Sequence, residues 1–279
     1  MAVADALAEA WYGHRRSPWW TWPLAGLYGA LSALRRGLYR LGVLRSVRLP
    51  VPVVVIGNLT AGGTGKTPLT IALAEALRAQ GFHPGVVSRG HGGRQREPML
   101  LDETPVPSEV GDEPCLIRAN GVPVAVGRDR PAAAQLLVAE GCNVVIADDG
   151  LQHYRLARDV EICVVDGARR FGNGRLLPAG PLREPLRRLA RVDLRVCNGD
   201  APQAGEYPMR LAGGEAEKLD GAQRQPLAGF AGRRVHAVAA IGNPARFFAS
   251  LRVAGADVIE HAFADHHAFV AQDLAFGDG

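Results

Sequence analysis

The chain has 279 residues, 47% of them hydrophobic and 22% charged. That composition suits one large or two modest globular domains and excludes disorder as the dominant state. The net charge of +4 is lopsided: residues 1–48 hold seven arginines against Asp5 and Glu9, a local balance of +5, while the remaining 25 basic and 26 acidic residues nearly cancel.

All four tryptophans, Trp11, Trp19, Trp20 and Trp22, lie in that same segment, and the weakly polar run 18–34 is bounded by Arg15-Arg16 and Arg35-Arg36. Tryptophan favours the headgroup level of a bilayer and arginine favours anionic lipid phosphates, so residues 1–48 are expected to form a membrane-interfacial helix. The run is short for a spanning helix. It also fits a cleaved signal peptide poorly, being rich in tryptophan and followed by more arginine. A helix packed on the protein's own body is the alternative. Nucleic acid is not an expected partner, because the arginines flank an apolar block and no further basic stripe or RNA-binding motif occurs.

The apolar run Val51-Pro-Val-Val-Val-Ile56 reads as a strand, and residues 68–80 read as a helix. Between them stands Thr60-Ala61-Gly62-Gly63-Thr64-Gly65-Lys66-Thr67. Strand, glycine loop and helix in this order make a nucleotide-phosphate cradle. Its glycines let backbone N–H groups turn toward the phosphates, Lys66 reaches the β/γ-phosphates, and the Thr67 hydroxyl serves magnesium. Lys66 is one of only two lysines in the chain. Thr60 stands where the usual pattern begins with glycine.

Further apolar runs follow at 85–88, 122–126, 143–147, 161–165 and 194–197, separated by helix-like stretches. Strands apolar on both faces imply an α/β fold of the P-loop type: a mainly parallel sheet covered by helices, with active residues at the carboxyl ends of its strands. Asp148-Asp149 sits at such an end, about eighty residues beyond the loop, where a carboxylate can hold magnesium opposite Thr67. Cysteines 115, 142, 163 and 197 show no CxxC pair and no zinc spacing, and read as buried thiols of a reducing compartment. Glycine-rich sequence at 205–232 reads as a connector. After it, 235–241 resembles a strand, 244–253 a helix and 263–267 a charged loop. The expected organisation is therefore an N-terminal segment 1–48, a P-loop core 49–204, a connector 205–232 and a smaller C-terminal α/β domain 233–279. A second unit closing over the first would create a ligand cleft.

Several segments together carry a family resemblance. Ser88-Arg-Gly, Gly111-Asp-Glu-Pro114, Gly127 to Arg130, Asp148-Asp-Gly-Leu-Gln-His153, Leu176-Leu-Pro-Ala-Gly-Pro-Leu-Arg-Glu184, Gly242-Asn-Pro-Ala-Arg-Phe-Phe248 and Asp265-His266 occur in the order found in tetraacyldisaccharide 4′-kinases of Gram-negative bacteria. The likeness spans nearly the whole chain. It departs at His91, where a tyrosine is usual, and at Arg128, where proline is common. The family also continues past the position of Gly279, so the C-terminal domain is expected to be incomplete.

The resemblance implies transfer of the ATP γ-phosphoryl group, with Mg2+, to the 4′-hydroxyl of tetraacyldisaccharide 1-phosphate, a lipid A precursor. It implies work at the cytoplasmic face of the inner membrane, peripherally or through an N-terminal anchor, and no obligate protein partner follows from it. It points to Asp112 as the base, paired with His266, with Lys66 at the phosphates. Arg130, Gln152 and Arg183 are the candidate substrate contacts. The competing reading is a P-loop switch or assembly factor that hydrolyses nucleotide without a lipid acceptor. A guanine-reading Asn-Lys-x-Asp sequence, usual in such switches, does not occur. A scaffold with a degenerate nucleotide site is the third reading.

Overall fold

The computed structural model describes residues 3–13, 15–199, 201–211, 213–264 and 267–277. His266, Asp265 and Gly279 therefore lie outside the described residues. Two compact units divide between Arg210 and Leu211.

In the first unit the chain runs α1 (Val3–Tyr12), α2 (Thr21–Arg40), β1 (Val53–Gly57), α3 (Lys66–Ala79), β2 (Pro84–Ser88), β3 (Met99–Leu100), α4 (Pro107–Val110), α5 (Asp112–Ala119), β4 (Val124–Val126), α6 (Arg130–Ala139), β5 (Val144–Ala147), β6 (Val160–Asp166), β7 (Leu194–Asn198) and β8 (Tyr207–Met209). The strands form one sheet in the order β3-β4-β2-β5-β1-β6-β7-β8. Every pairing is parallel except β3 with β4. The loop-bearing β1 is thus interior, flanked by β5 with the aspartates and by β6.

Period-two alternation distributes the strand residues between two cores. Val55, Val87, Val145, Cys163 and Val165 face one layer, which includes Ala133 and Leu137 of α6. Ile56, Val86, Ile146, Ile162 and Val164 face the other, with Ala74 of α3 and Ile117 of α5. Each valine, isoleucine or leucine among them, fully buried, contributes roughly 1.5–3 kcal/mol. This explains why the runs look continuously apolar: both faces are covered.

The run expected as an interfacial helix is α2, which starts three residues later and extends to Arg40. No side chain caps its N-terminus; at the other end Gly42, at φ 73, terminates it with a bond from its N–H to Tyr39 O. Its inward face is fastened to the body, with Tyr28 Oη donating to Arg183 O at 2.9 Å and Arg36 paired with Glu184 at 3.1 Å. The opposite face exposes Trp20, Leu24, Leu27, Leu31 and Leu34. Among the described residues no helix is long and apolar enough to cross a membrane.

Part of the expected connector is strand. Tyr207–Met209 pairs with β7, so the sheet extends beyond residue 204. In the second unit β9 (Glu215–Glu217) pairs antiparallel with β10 (Arg224–Pro226). Beyond them β11 (Arg234–Ala239), α7 (Pro244–Val253) and β12 (Asp257–Ala262) make a parallel β-α-β unit around Ala237, Ala239 and Phe248.

Candidate functional site at the glycine loop

β1 delivers the loop 60–67 to the carboxyl edge of the sheet, and α3 begins at Lys66. Gly62 and Gly65 have φ of 99° and 89°, left-handed values that a side chain would strain. Thr60 needs no such freedom. It is buried and bridged antiparallel to Leu182, with Ala61 N–H bonded to Pro181 O at 2.7 Å and Arg183 N–H to Leu59 O at 2.7 Å. The segment 176–184 is therefore a backbone brace for the loop entry, which accounts for threonine in the glycine position.

Lys66 is only 7% exposed, and its Nζ lies 3.6 Å from Asp149 Oδ1. Asp149 also receives Arg183 Nη1 at 3.0 and 2.8 Å on its two oxygens, while Arg130 Nη1 donates to its carbonyl at 2.8 Å. Those contacts hold Asp149 at φ 46°, a conformation costly for a residue with a side chain. Burial would raise its carboxyl, but Lys66, Arg183 and Arg130 outweigh that and hold it down at about 2. Asp149 is thus a committed anion between cations.

Asp148 is its opposite. It is buried, accepts one bond from Thr70 Oγ1 at 3.2 Å, and its Oδ2 has no hydrogen-bond partner among the described residues. Burial, then the charges of Glu113 and Asp149, raise its carboxyl to about 6 against the pull of Lys66 and Arg130. An orphaned carboxylate oxygen on a strand tip beside a phosphate loop suits a hard cation. Of the expected pair, Asp148 with Thr67 fits magnesium, whereas the oxygens of Asp149 already serve Lys66 and Arg183. No group of three or more His, Cys, Asp or Glu suited to a metal occurs among the described residues, so such a cation would rely on nucleotide oxygens for the rest of its shell.

The raised carboxyl has a measurable consequence. A folded pKa near 6 against an unfolded value near 4 favours the protonated folded state, so stability is lost as pH rises through that window, on the order of 3 kcal/mol when complete. Between about pH 5 and about pH 7.5 the melting temperature of nucleotide-free wild type is expected to fall relative to that of Asp148→Asn. Parallel pH profiles would assign the effect elsewhere.

The other expected contacts are placed as follows. Arg130, 4% exposed, is a buried brace of the Asp149 backbone. Gln152 turns inward, its Nε2 donating to Asn58 O at 3.1 Å and to Glu184 Oε2 at 3.4 Å. Glu184 also accepts from Tyr154 Oη and Arg36, making a buried knot between α2 and the segment after β5. Arg183 stays partly exposed on Asp149. Asp112 is the first residue of α5; Gly111 holds the cap position at φ 93° and ψ 157°, and no side chain caps the helix. Glu113, next in the chain, helps to raise the Asp148 carboxyl through its charge.

An interior parallel strand ending in this loop, with a buried lysine and a strand-tip carboxylate, defines a P-loop phosphotransfer protein. The family model for tetraacyldisaccharide-1-P 4′-kinase matches residues 17–279. The chain belongs to that family. It is 54% identical to a tetraacyldisaccharide 4′-kinase of Stenotrophomonas maltophilia over 278 residues, covering 96% of this chain and 82% of that one. It is 55% identical to the kinase of that name from Alkalilimnicola ehrlichii, covering 95% and 82%. A crystal structure of LpxK from Aquifex aeolicus in complex with ATP superposes with a TM-score of 0.74 at 30% identity, covering 88% of this chain and 81% of that chain.

Residues that contact the loop but were not singled out by sequence include Asn198, which ends β7, Arg169, just beyond β6, and Tyr12 of α1, whose Oη donates to Ala61 O at 3.3 Å. A polar residue at the carboxyl end of an apolar strand is the signal that could have found Asn198.

Proposed function

We infer that this chain is a lipid kinase that moves the γ-phosphoryl group of ATP to the 4′-hydroxyl of tetraacyldisaccharide 1-phosphate, giving the 4′-phosphorylated lipid A precursor. The observation that carries it is the complete phosphate loop with Lys66 and the orphaned Asp148 in a chain of this family. Transfer through a loose transition state is mainly a matter of alignment and charge. The loop amides and Lys66 bind and orient the phosphates, and Thr67 and Asp148 would hold magnesium, whose charge neutralises the phosphate oxygens. Asp112 takes the hydroxyl proton, a step shared with His266. Arg183, the most accessible arginine on the aspartate pair, is the favoured contact for an acceptor oxyanion.

The acceptor has acyl chains, so it reaches the enzyme from a bilayer. We assign that surface to α2, whose exposed leucines at 24, 27, 31 and 34 recur at helical spacing beside Trp19, 82% exposed, and Trp22. The reading places the protein peripherally on the cytoplasmic face of the inner membrane, where ATP is available.

The test is transfer of label from γ-labelled ATP to the acceptor. Wild type is expected to label the lipid in vesicles. The double variant Leu27→Glu, Leu31→Glu is expected to lose about tenfold or more on vesicles while keeping its rate on detergent-dispersed acceptor. Hydrolysis of ATP with no label in the lipid would favour the nucleotide-switch reading instead.

A further inference from the structure

Two carbonyls of the phosphate loop are gripped by residues at the carboxyl end of β7 and just beyond that of β6. Asn198, 2% exposed, donates its Nδ2 to Thr64 O at 2.9 Å. Arg169 donates from Nη2 to Gly63 O. Arg169 is itself fixed: its Nε donates to Asp166 Oδ2 at 3.0 Å, Asp166 Oδ1 accepts from the N–H groups of residues 168 and 169, and the guanidinium lies 5.4 Å from the centre of the Tyr12 ring.

A planar trans peptide points its N–H opposite its carbonyl. Holding Gly63 O therefore sets the direction of Thr64 N–H, and holding Thr64 O sets that of Gly65 N–H. Gly65 shows how close the grip is, because a Cβ there would stand 2.2 Å from Asn198 Nδ2. The asparagine occupies the space that a side chain at 65 would need. A cradle works only if its donors are aimed before the phosphates arrive, and an amide free to rotate would lose much of its value.

We propose that Asn198 is a positioning residue for phosphoryl transfer, holding the Thr64 carbonyl so that Gly65 N–H faces the nucleotide phosphates, with Arg169 performing the same task one peptide earlier. The proposal rests on the reading of residues 60–67 as the ATP phosphate site. Tyr12 and Asp166 keep Arg169 on Gly63 O, and β7 keeps Asn198 on Thr64 O, so neither support depends on the acceptor.

The test compares full-length wild type with Asn198→Asp, which is isosteric but turns an acceptor toward the Thr64 carbonyl, and with Asn198→Ala. ATP binding with magnesium is measured by titration calorimetry without acceptor, alongside melting temperature and steady-state kinetics. Loss of one buried hydrogen bond is expected to weaken ATP about tenfold and to lower kcat, with the acceptor KM little changed and the melting temperature lowered more in Asn198→Asp, whose buried carboxylate would face the Thr64 carbonyl, than in Asn198→Ala. Unaltered ATP affinity and kcat in folded Asn198→Asp would overturn the proposal. If both Asn198 variants melt far below wild type, Arg169→Gln decides: a loss of about threefold or more in ATP affinity supports the grip, and no loss overturns it. Failure of wild type itself to bind ATP would instead remove the nucleotide-site reading on which the proposal stands.

Discussion

Replacing Lys66 by alanine is expected to lower phosphoryl transfer by about 10³-fold or more, with the protein still folded. The residue opens α3, where alanine is a good helix former, and its loss leaves Asp149 with Arg183 on its carboxylate and Arg130 on its carbonyl, so Asp149 is not stranded. What disappears is a desolvated positive charge in the loop, the only lysine that the loop contains. Arginine should not rescue: a planar guanidinium is too wide for a site that leaves the Lys66 side chain only 7% exposed. Steady-state transfer at saturating ATP, with circular dichroism as the control for folding, checks this. A folded Lys66→Ala retaining more than about a tenth of the rate would remove Lys66 from the chemistry.

The parts of the molecule legible in sequence are those whose signal is local. Strands β1, β2, β4, β5, β6 and β7 were visible because a parallel sheet covered on both faces needs runs such as Val144–Ala147 to be apolar throughout. The helix expected at 244–253 is found at those limits, Pro244–Val253. Edge strands were not. Met99–Leu100 is two residues long, and Tyr207–Met209 carries Pro208, which only an edge tolerates. Asp257–Ala262 hides its strand character behind Asp257, Glu260 and His261. At the site, the glycine loop and the aspartate pair announced themselves, but the division of labour within the pair did not. Whether Asp148 or Asp149 meets Lys66 depends on the turn after β5 and on Arg183, thirty-four residues later in the chain. The same applies to Thr60, whose partner Leu182 is supplied by a distant segment.

Asp112→Asn is expected to lower kcat by about 10²- to 10⁴-fold while leaving the KM for ATP within about threefold. The backbone gives the reason for its placement. Gly111 holds a conformation reserved for glycine, and a Cβ there would meet His91 O at 2.3 Å, so the loop after β2 and the start of α5 are locked together. The lock leaves Asp112 at the mouth of α5, one residue from Glu113, whose charge is felt by Asp148. A carboxylate at the start of α5, outside the loop itself, suits the role proposed for Asp112 as the group that receives the acceptor's proton. An aspartate alone is a weak base near neutral pH, so a second group must share the work. The family resemblance is what proposes His266 for that part. Two residues that serve one proton transfer are not additive: the double variant Asp112→Asn, His266→Ala should be no slower than about threefold below the worse single variant. Full multiplication of the two losses would separate their roles. A small loss in Asp112→Asn alone would return proton removal to the acceptor's own surroundings and leave the α5 lock as a purely architectural feature.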